Sequence, residues 1–233
     1  ARHGGRNAVD IELTLADQGV DCGLRNIALE GLAATEAALE LAQASQLARL
    51  TLDQGYGAEA VWEPEPATIT LSGRPVGLPP GSFLQATRDG EQRLVEDVQA
   101  WIGDAASIAD LFAGLGTFAF ALAGPAKVLA AEAARDAHLA CKAAAGRAGL
   151  PIAAMHRDLF RNPLQPAEVD RFEAVVIDPP RAGAREQVEQ IAAGRIARVA
   201  YVSCNPASWA RDAARLIAAG FRLEALRPVG QFR

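Results

Sequence analysis

The stretch SIADLFAGLGTF, residues 107–118, decides the fold of this chain. Its apolar beginning predicts a buried β-strand that ends at Asp110, and the segment Phe118–Ala123 has the residue spacing of a helix. Gly114 and Gly116 lie between the two and carry no Cβ, so the backbone can turn tightly and approach a ligand closely. A strand, a glycine-rich turn and a helix in this order are typical of the first unit of a doubly wound α/β sheet.

Short apolar strands and helices alternate on both sides of this stretch, from about residue 82 to the end of the chain. The further predicted strands are Lys127–Ala131, Ile152–His156, Phe172–Ile177, Arg198–Ser203 and Phe221–Leu226. The further predicted helices are Gly90–Trp101, Ala134–Ala148, Glu186–Ala193 and Trp209–Ala218. Continuous apolar strands that alternate with helices predict a parallel, doubly wound α/β sheet with ligands at the carboxyl ends of its strands. We assign this Rossmann-like domain to residues 81–233.

The first 80 residues predict a smaller α+β domain. Alternating residues in Val9–Leu15 and a turn at Asp17-Gln18-Gly19 indicate a β-hairpin, and Leu29–Leu47 has helical periodicity. Short strands are predicted at Leu47–Leu52, Ala60–Trp62 and Thr68–Leu71. The proline- and glycine-containing run Val76–Ser82 breaks the pattern, and we place the domain boundary within it.

The composition of the 233-residue chain excludes several classes of protein. Half of its residues are hydrophobic and 22% are charged, which indicates a folded rather than a disordered chain. No apolar run reaches 18 residues, so we expect no membrane span. The three cysteines lie far apart, which argues against a disulfide framework and a zinc site and favours a reducing, cytoplasmic location.

The net charge of −5 at first disfavours a partner such as nucleic acid. The charge is unevenly distributed, however, because nine arginines and four acidic residues follow from Arg181 onward. This positive C-terminal stretch, with a local balance of +5, can attract an anionic partner although the chain as a whole is acidic.

Three acidic residues lie at the ends of successive predicted strands, namely Asp110, Glu132 and Asp158. A carboxylate directly before the glycine loop would repel a pyrophosphate, whereas it suits a cationic sulfonium ligand. Glu132 is placed to hold two ribose hydroxyls, and Asp158 can accept a hydrogen bond from an adenine amino group. S-adenosylmethionine carries all of these groups and no phosphate.

The glycine loop also fits a second interpretation. Gly114, Gly116 and Ala119 match the G-x-G-x-x-A form of an NAD fingerprint, which leaves an NAD-dependent oxidoreductase open as an alternative. That alternative gives no role to the two motifs near the end of the chain.

Those two motifs are the turns after the last two buried strands. In Asp178-Pro179-Pro180-Arg181 the prolines fix the backbone as it leaves the sheet, which holds Asp178 at the mouth of a cleft. Similar turns in amino-group methyltransferases carry an aromatic residue where this chain has Arg181. The second turn, Ser203-Cys204-Asn205-Pro206, presents Cys204 at a strand end, where a nucleophilic thiolate would be held.

Together these motifs resemble the RNA uracil-5-methyltransferase family, a class I family that uses S-adenosylmethionine. The resemblance extends from Ser82 to Phe232 and is strong because five motifs occur in the family's order and spacing. They are Ser82–Gln85, Asp110–Phe118, Arg157–Phe160, Asp178–Arg181 and Val202–Pro206.

The resemblance implies a role for each matching residue. The cofactor-binding positions are Gln85, Phe112, Gly114, Gly116, Thr117, Glu132, Asp158 and Asp178. Thr117 stands where many members carry Asn, so its contact with the cofactor is the least supported. Asp178 would also organise the cleft for the target base, and Cys204 is the nucleophile that adds to C6 of uracil. Arg181 is our own candidate for stabilising the resulting enolate or binding a phosphate.

The resemblance is closest to bacterial 23S ribosomal RNA enzymes, with tRNA enzymes as the alternative. It also implies parts that this sequence lacks. The proton-abstracting Glu and a last strand would follow Arg233, and an RNA-binding β-barrel and a [4Fe-4S] cluster would lie in an N-terminal region absent from this sequence. The chain starts at Ala1 rather than Met, so we expect it to be part of a longer protein. We expect a monomer without a metal site in the present residues.

A third possibility is a non-catalytic RNA-binding or RNA-folding factor that keeps the methyltransferase fold. The missing general base motivates it. We therefore carry three hypotheses forward: an RNA uracil-5-methyltransferase, an NAD-dependent oxidoreductase and a non-catalytic RNA-binding factor.

Overall fold

The computed structural model describes residues 8–231, which form two compact units. The N-terminal unit extends to residue 82, except that residues 71–74 cluster with the second unit, which contains residue 83 onward. No helix within residues 8–231 is both long and apolar enough to cross a membrane.

The N-terminal unit is a four-stranded sheet with one helix. Its elements are β1 (Asp10–Ala16), β2 (Gly19–Arg25), α1 (Gly31–Ala44), β3 (Arg49–Asp53) and β4 (Ala58–Trp62). The strands follow the order β1-β2-β3-β4, and only β2 and β3 are parallel, since α1 connects them. The predicted hairpin and helix are confirmed. Cys22, Ala42 and Leu50 form the centre of a small core under α1.

A hairpin that the sequence analysis predicted only in half follows β4. Its strands are β5 (Thr68–Leu71) and β6 (Arg74–Gly77), which pair with each other. The run from Val76 onward was interpreted as a breaker, which is wrong for Val76 and Gly77. Ser72 and Gly73 both adopt positive φ angles, 46° and 75°, as a two-residue hairpin turn requires.

The second unit is built on a five-stranded parallel sheet, which confirms the predicted α/β fold class. Its strands are β7 (Ser107–Leu111), β8 (Lys127–Glu132), β9 (Ile152–His156), β10 (Ala174–Ile177) and β11 (Arg198–Tyr201). Its helices are α2 (Arg88–Ile102), α3 (Thr117–Leu122), α4 (Arg135–Ala148), α5 (Pro166–Val169), α6 (Arg185–Ala193) and α7 (Pro206–Ala218). The spatial order β11-β10-β7-β8-β9 reverses between β7 and β10, and ligands bind at this switch point in such sheets.

The sheet is buried on both faces. All four residues of β10 are fully buried, although successive side chains of a strand point to opposite faces. Val175, Ile177, Val188 and Ile191 belong to one large apolar cluster that joins β10 to α6. Burial on both faces explains why these strands are continuously apolar rather than alternating.

The predicted strand Phe221–Leu226 is wrong. Residues 219–231 contain no helix or strand, and Leu223 and Leu226 are more than half exposed. A strand needs a neighbour to pair with its N–H and C=O groups, and no segment within residues 8–231 pairs with this one. Side-chain contacts hold the segment instead, among them an ion pair of 2.5 Å between Arg227 and Asp97 of α2.

The short helix α5 was also missed. Pro166 occupies its first position, and the Glu168 carboxylate accepts a hydrogen bond of 2.8 Å from the backbone N–H of Gln165. This reciprocal capping stabilises a single turn that is too short to show helical periodicity in the sequence.

Candidate active site

The functional residues predicted in the second unit lie at the carboxyl edge of its sheet. Because the five strands are parallel, the residues that follow them leave the sheet on the same side. Backbone hydrogen bonds continue past the strand ends, from Asp178 N to Leu111 O at 3.2 Å and from Val202 N to Ile177 O at 2.9 Å. The two motif turns and the glycine loop therefore start from adjacent positions.

The glycine loop connects β7 to α3 through left-handed backbone conformations. Gly114 and Gly116 have φ angles of 55° and 98°, which residues with a Cβ rarely adopt. A Cβ on Gly116 would lie 3.0 Å from Cys141 Sγ, so the loop approaches α4 as closely as a glycine allows. The space next to Gly114 is open within 4 Å, where a ligand could approach the backbone.

Phe112 starts this loop with a strained backbone. Its φ of 60° lies in the left-handed region, which costs a residue with a side chain about 1–2 kcal/mol. Its ring contacts that of Phe160, with centroids 5.2 Å apart and planes tilted by 55°. Phe160 was not predicted as a site residue, although its place in the motif Arg157–Phe160 could have indicated it.

The Glu132 carboxylate connects the loop to the end of β8. Its Oε2 accepts a hydrogen bond of 2.8 Å from Gly114 N, and its Oε1 accepts one of 2.6 Å from Ala134 N. Each carboxylate oxygen has a second lone pair, so the group can still accept hydrogen bonds from two hydroxyls.

Asp158 arranges its own loop after β9. Its Oδ1 accepts hydrogen bonds from the backbone N–H groups of Phe160, at 3.0 Å, and Arg161, at 3.2 Å. The Asp158 side chain thereby fixes the backbone that carries Phe160. Its Oδ2 is 3.6 Å from Nε of the exposed Arg161.

Two acidic side chains lie beneath the glycine loop. The strand β7 ends at Leu111 rather than at Asp110. Asp110 is fully buried, and within residues 8–231 neither carboxylate oxygen has a hydrogen bond of normal geometry, although the backbone N–H of Ala119 lies near enough to favour the ionised form. Burial, and next the Asp178 carboxylate, raise the pKa of Asp110 well above its usual range. Burial also raises the pKa of Asp178 to about 7.

The exposed Cys204 lies one residue before the N-cap of α7. Asn205 caps this helix through Oδ1, which accepts a hydrogen bond of 3.1 Å from Ala207 N. The other half of the same amide, Nδ2, donates to the backbone oxygen of Arg181 at 2.8 Å. Asn205 therefore joins the cysteine turn to the Asp178–Arg181 turn.

A buried carboxylate below these turns strengthens the connection. The Asp212 Oδ2 of α7 accepts hydrogen bonds from Ala184 N, at 2.8 Å, and from the Tyr201 hydroxyl, at 2.7 Å. Arg211 donates to Asp212 Oδ1 at 2.8 Å and to the Ala182 oxygen at 3.0 Å. Sequence reasoning missed this network, because a single Asp within a helix carries no motif signal.

The three cysteines have different environments. Cys22 and Cys141 are buried, and burial, followed by the charges of Asp110 and Glu132, raises the pKa of Cys141 to about 12. Cys204 is exposed. Of the three, Cys204 alone has a thiol that is open to solvent.

The remaining predicted positions lie at the same edge. Thr117 is half-buried and starts α3. Gln85 precedes α2, which leads after four residues into the opposite end of β7, so the N-terminal end of α2 points to the carboxyl edge. The Gln85 side chain accepts a hydrogen bond of 2.8 Å from Gln231.

The chemistry of this edge fits a cation better than a phosphate. Three carboxylates, Asp110, Glu132 and Asp178, lie around the glycine loop. Burial, followed by the charges of Asp178 and Glu132, raises the pKa of Asp110. Carboxylates with raised pKa values are stabilised in their ionised form by a nearby positive charge. A sulfonium group supplies such a charge, whereas the pyrophosphate of NAD would add repulsion.

Comparisons with known proteins agree with this geometry. Residues 152–232 match the tRNA (uracil-5-)-methyltransferase family. An uncharacterised RNA methyltransferase of Zymomonas mobilis is 53% identical over 227 residues, which cover 97% of this chain and 57% of that protein. The 23S rRNA (uracil(1939)-C(5))-methyltransferase RlmD of Chromohalobacter salexigens is 38% identical over 153 residues, 64% of this chain and 32% of that protein.

A solved structure has the same fold. The tRNA (uracil-54, C5)-methyltransferase of Pyrococcus abyssi, solved with S-adenosyl-L-homocysteine, superposes with a TM-score of 0.68 at 23% identity. The match covers 88% of this chain and 52% of that one. The chain thus spans about half the length of the curated relatives it matches. Residues 152–232 thus belong to the tRNA (uracil-5-)-methyltransferase family, and nearly the whole chain is similar to curated RNA methyltransferases.

Proposed function

We propose that the protein containing this chain transfers a methyl group from S-adenosylmethionine to C5 of a uridine in RNA, with Cys204 as the covalent nucleophile. The observation that carries this proposal is the hydrogen bond of 2.8 Å from Asn205 Nδ2 to Arg181 O. It holds the turn with the exposed thiol next to the turn that follows Asp178.

The residues around the glycine loop would hold the cofactor. Glu132 can accept hydrogen bonds from two ribose hydroxyls in addition to its two backbone donors. Phe112 and Phe160 offer an aromatic pair for the adenine, and Asp158 lies beside them. When bound, S-adenosylmethionine supplies a methyl group on a positively charged sulfur.

The chemistry at the base begins with the sulfur of Cys204. The C5 atom of uracil is weakly nucleophilic, and addition of a thiolate to C6 forms an S–C bond and moves the C5–C6 π electrons toward an enolate oxygen. Cys204 lies at the N-terminal end of α7, where the helix dipole favours an anionic group. Arg181 is exposed in the neighbouring turn and can donate hydrogen bonds to the enolate oxygen or to a phosphate.

Completion of the reaction requires a base and the release of sulfur. Once C5 has received the methyl group and S-adenosylhomocysteine has kept the electron pair of the broken S–CH3 bond, a base removes the C5 proton. The C5–C6 double bond forms again, and the S–C6 bond breaks with its electron pair returning to the Cys204 sulfur. The resemblance implies that this base is a Glu beyond Arg233. A uridine must leave its stack to reach an enzymic thiol, so a loop or another unpaired region of RNA is the natural target.

We propose 23S ribosomal RNA as the substrate and the cytoplasm as the location. The 38% identity to a 23S rRNA uracil-5-methyltransferase supports this choice over tRNA. The positive stretch from Arg181 onward, which includes the Cys204 turn, would attract the RNA backbone. The NAD-dependent oxidoreductase is disfavoured by the carboxylates around the glycine loop.

A trapping experiment tests the proposal. The full-length protein is incubated with S-adenosylmethionine and RNA in which uridine is replaced by 5-fluorouridine. A C5–F bond cannot lose its substituent to a base as a proton, so the covalent protein–RNA complex should persist through denaturing electrophoresis. Cys204→Ala should give no complex, whereas the matched control Cys22→Ala, in the N-terminal unit, should give the wild-type amount.

Mass spectrometry of methylated 23S rRNA and tRNA transcripts then separates the substrates. Methylation of tRNA alone would contradict the choice of 23S rRNA. A Cys204→Ala variant that forms 5-methyluridine at the wild-type rate would disprove the covalent mechanism. RNA binding without any methylation would favour the non-catalytic factor.

A further inference from the structure

Two glutamines far apart in the sequence form an amide pair beside the N-terminal end of α2. Gln231 Nε2 donates a hydrogen bond of 2.8 Å to Gln85 Oε1, and Gln231 Oε1 accepts one of 2.8 Å from Ala86 N. The first helical turn is shaped for this pair, because a Cβ on the buried Gly90 would lie 2.8 Å from Gln231 Cγ.

The backbone donor fixes the direction of the whole chain of hydrogen bonds. The N–H group of Ala86 can only donate, so the Gln231 atom that faces it must be the oxygen. The other half of the Gln231 amide is then a donor, which requires that Gln85 faces it with its own oxygen. Gln85 Nε2 is left as a donor with no hydrogen-bond partner within residues 8–231.

The pair lies where it can affect the cofactor. Gln85 is half-buried and lies at the N-terminal end of α2, on the carboxyl side of the sheet. We infer that Gln231 is a positioning residue that locks the Gln85 amide with Nε2 toward S-adenosylmethionine, so that Gln85 binds an acceptor atom of the cofactor. This inference rests on the proposed function and on the role in cofactor binding that the family resemblance implies for Gln85.

Two substitutions of Gln231 separate orientation from packing. Gln231→Leu removes both hydrogen bonds of the side chain. Gln231→Glu keeps an acceptor for Ala86 N but places a second acceptor oxygen, in place of the amide donor, opposite Gln85. Gln85 must then turn its amide so that Nε2 faces the carboxylate and Oε1 faces the cofactor. Gln92→Leu is the matched control, since Gln92 lies on α2 and its amide donates a hydrogen bond of 2.9 Å to the exposed Glu96.

The test is calorimetric titration of the full-length protein with S-adenosylhomocysteine, which requires neither RNA nor turnover. A net loss of about one hydrogen bond predicts roughly tenfold weaker binding for Gln231→Glu, Gln231→Leu and Gln85→Leu. Gln92→Leu should bind as the wild type does. Thermal melting monitors folding of every variant.

A double-mutant cycle distinguishes positioning from a merely structural effect. If Gln231 acts through Gln85, the variant that combines Gln231→Glu with Gln85→Leu should bind roughly as weakly as either single variant. Additive losses, of about a hundredfold, would overturn the inference, and so would wild-type affinity in Gln231→Glu. Absence of binding by the unaltered protein would overturn the proposed function as well.

Discussion

The side-chain amide of Asn205 binds two elements at once, because Nδ2 donates to Arg181 O at 2.8 Å while Oδ1 accepts from Ala207 N at 3.1 Å. The first contact joins the turns that follow β10 and β11, and the second caps α7. A single residue thus fixes both the helix behind the exposed thiol of Cys204 and the turn beside it. The two roles can be separated by substitution.

Replacing Asn205 with Asp should reduce activity without loss of stability. A carboxylate still caps α7, but it cannot donate to Arg181 O and repels that oxygen instead. We expect kcat for RNA methylation to fall about tenfold or more, since misplacement of a reacting group by about 1 Å can cost a factor of 10². Steady-state kinetics and thermal melting are the measurements.

The control for this prediction is Asn205→Ala, which removes the cap as well. It should lose a similar factor in kcat and also about 1 kcal/mol of stability. Full activity of Asn205→Asp would mean that the contact with Arg181 does not position the thiol.

Gly183 and Gly146 should respond in opposite directions to alanine. Gly183 has a φ of 81°, and a Cβ there would lie 2.6 Å from Asp212 Oδ2. Gly183→Ala should therefore destabilise the protein by about 2–4 kcal/mol, through left-handed strain and overpacking. Gly146 lies in α4 with open space around its Cβ position, so Gly146→Ala should stabilise by about 0.5–1 kcal/mol.

Chemical denaturation of both variants measures these changes. If both substitutions changed stability equally, the hydrogen-bond network around Asp212 would have to rearrange to accommodate the added methyl group without cost. The pair also controls for the general effect of exchanging glycine for alanine, because only Gly183 lies at the connection between the two turns.

Tyr201→Phe should weaken the same connection from the side of the sheet. The hydroxyl donates to Asp212 Oδ2 at 2.7 Å, and burial together with this hydrogen bond raises the pKa of Tyr201. Phenylalanine leaves Asp212 with its bonds to Ala184 N and Arg211, so we expect a loss of about 1–3 kcal/mol in stability. Denaturant titration checks this, and an unchanged midpoint would contradict it.

Much of the second unit could be predicted from the sequence because its signals are local. The strand of residues 174–177 is apolar throughout, and the glycine loop and the turns around Asp178 and Cys204 consist of residues with restricted backbone choices. Parallel strands then bring these turns to one edge without any further information. The prediction of the fold class depended on the alternation of strands and helices and on the glycine-rich turn within residues 107–118.

Several of the errors concern features that depend on distant partners. The segment Phe221–Leu226 has the composition of a strand, yet pairing decides whether a strand forms. The Asp212 network and the amide pair of Gln85 and Gln231 join residues from separate elements, and no pattern in one element reveals them. The β6 strand could have been found, because Ser72-Gly73 is a known type of hairpin turn.

Stability should decrease as pH rises, because of Asp178. Burial raises its pKa to about 7 in the folded protein, whereas an unfolded Asp titrates near about 4. Between these pH values the folded state keeps a proton that the unfolded state has lost, so the free energy of unfolding falls with rising pH. Asp110, whose pKa is also raised, acts in the same direction.

Asp178→Asn should remove the part of this dependence that Asp178 contributes. At pH 8 we expect the variant to be more stable than the wild type by about 2–4 kcal/mol, whereas at low pH the neutral wild-type carboxyl should behave like the amide. Urea titrations at several pH values measure both. A stability difference that does not change with pH would contradict the assigned pKa.

The same carboxyl should make the binding of S-adenosylmethionine depend on pH. A sulfonium near Asp178 favours its ionised form, so a cationic ligand displaces a proton from a group with a pKa of about 7. Affinity for S-adenosylmethionine should rise by up to about tenfold from pH 6 to pH 8. The Asp178 carboxyl of the free protein is mostly protonated at pH 6, so binding must displace that proton, whereas at pH 8 the carboxyl is already mostly ionised. The neutral sulfide of S-adenosylhomocysteine should show a smaller change. Calorimetry in the Asp178→Asn variant should give the same pH dependence for both ligands, and a difference that persists there would assign the effect to another carboxylate.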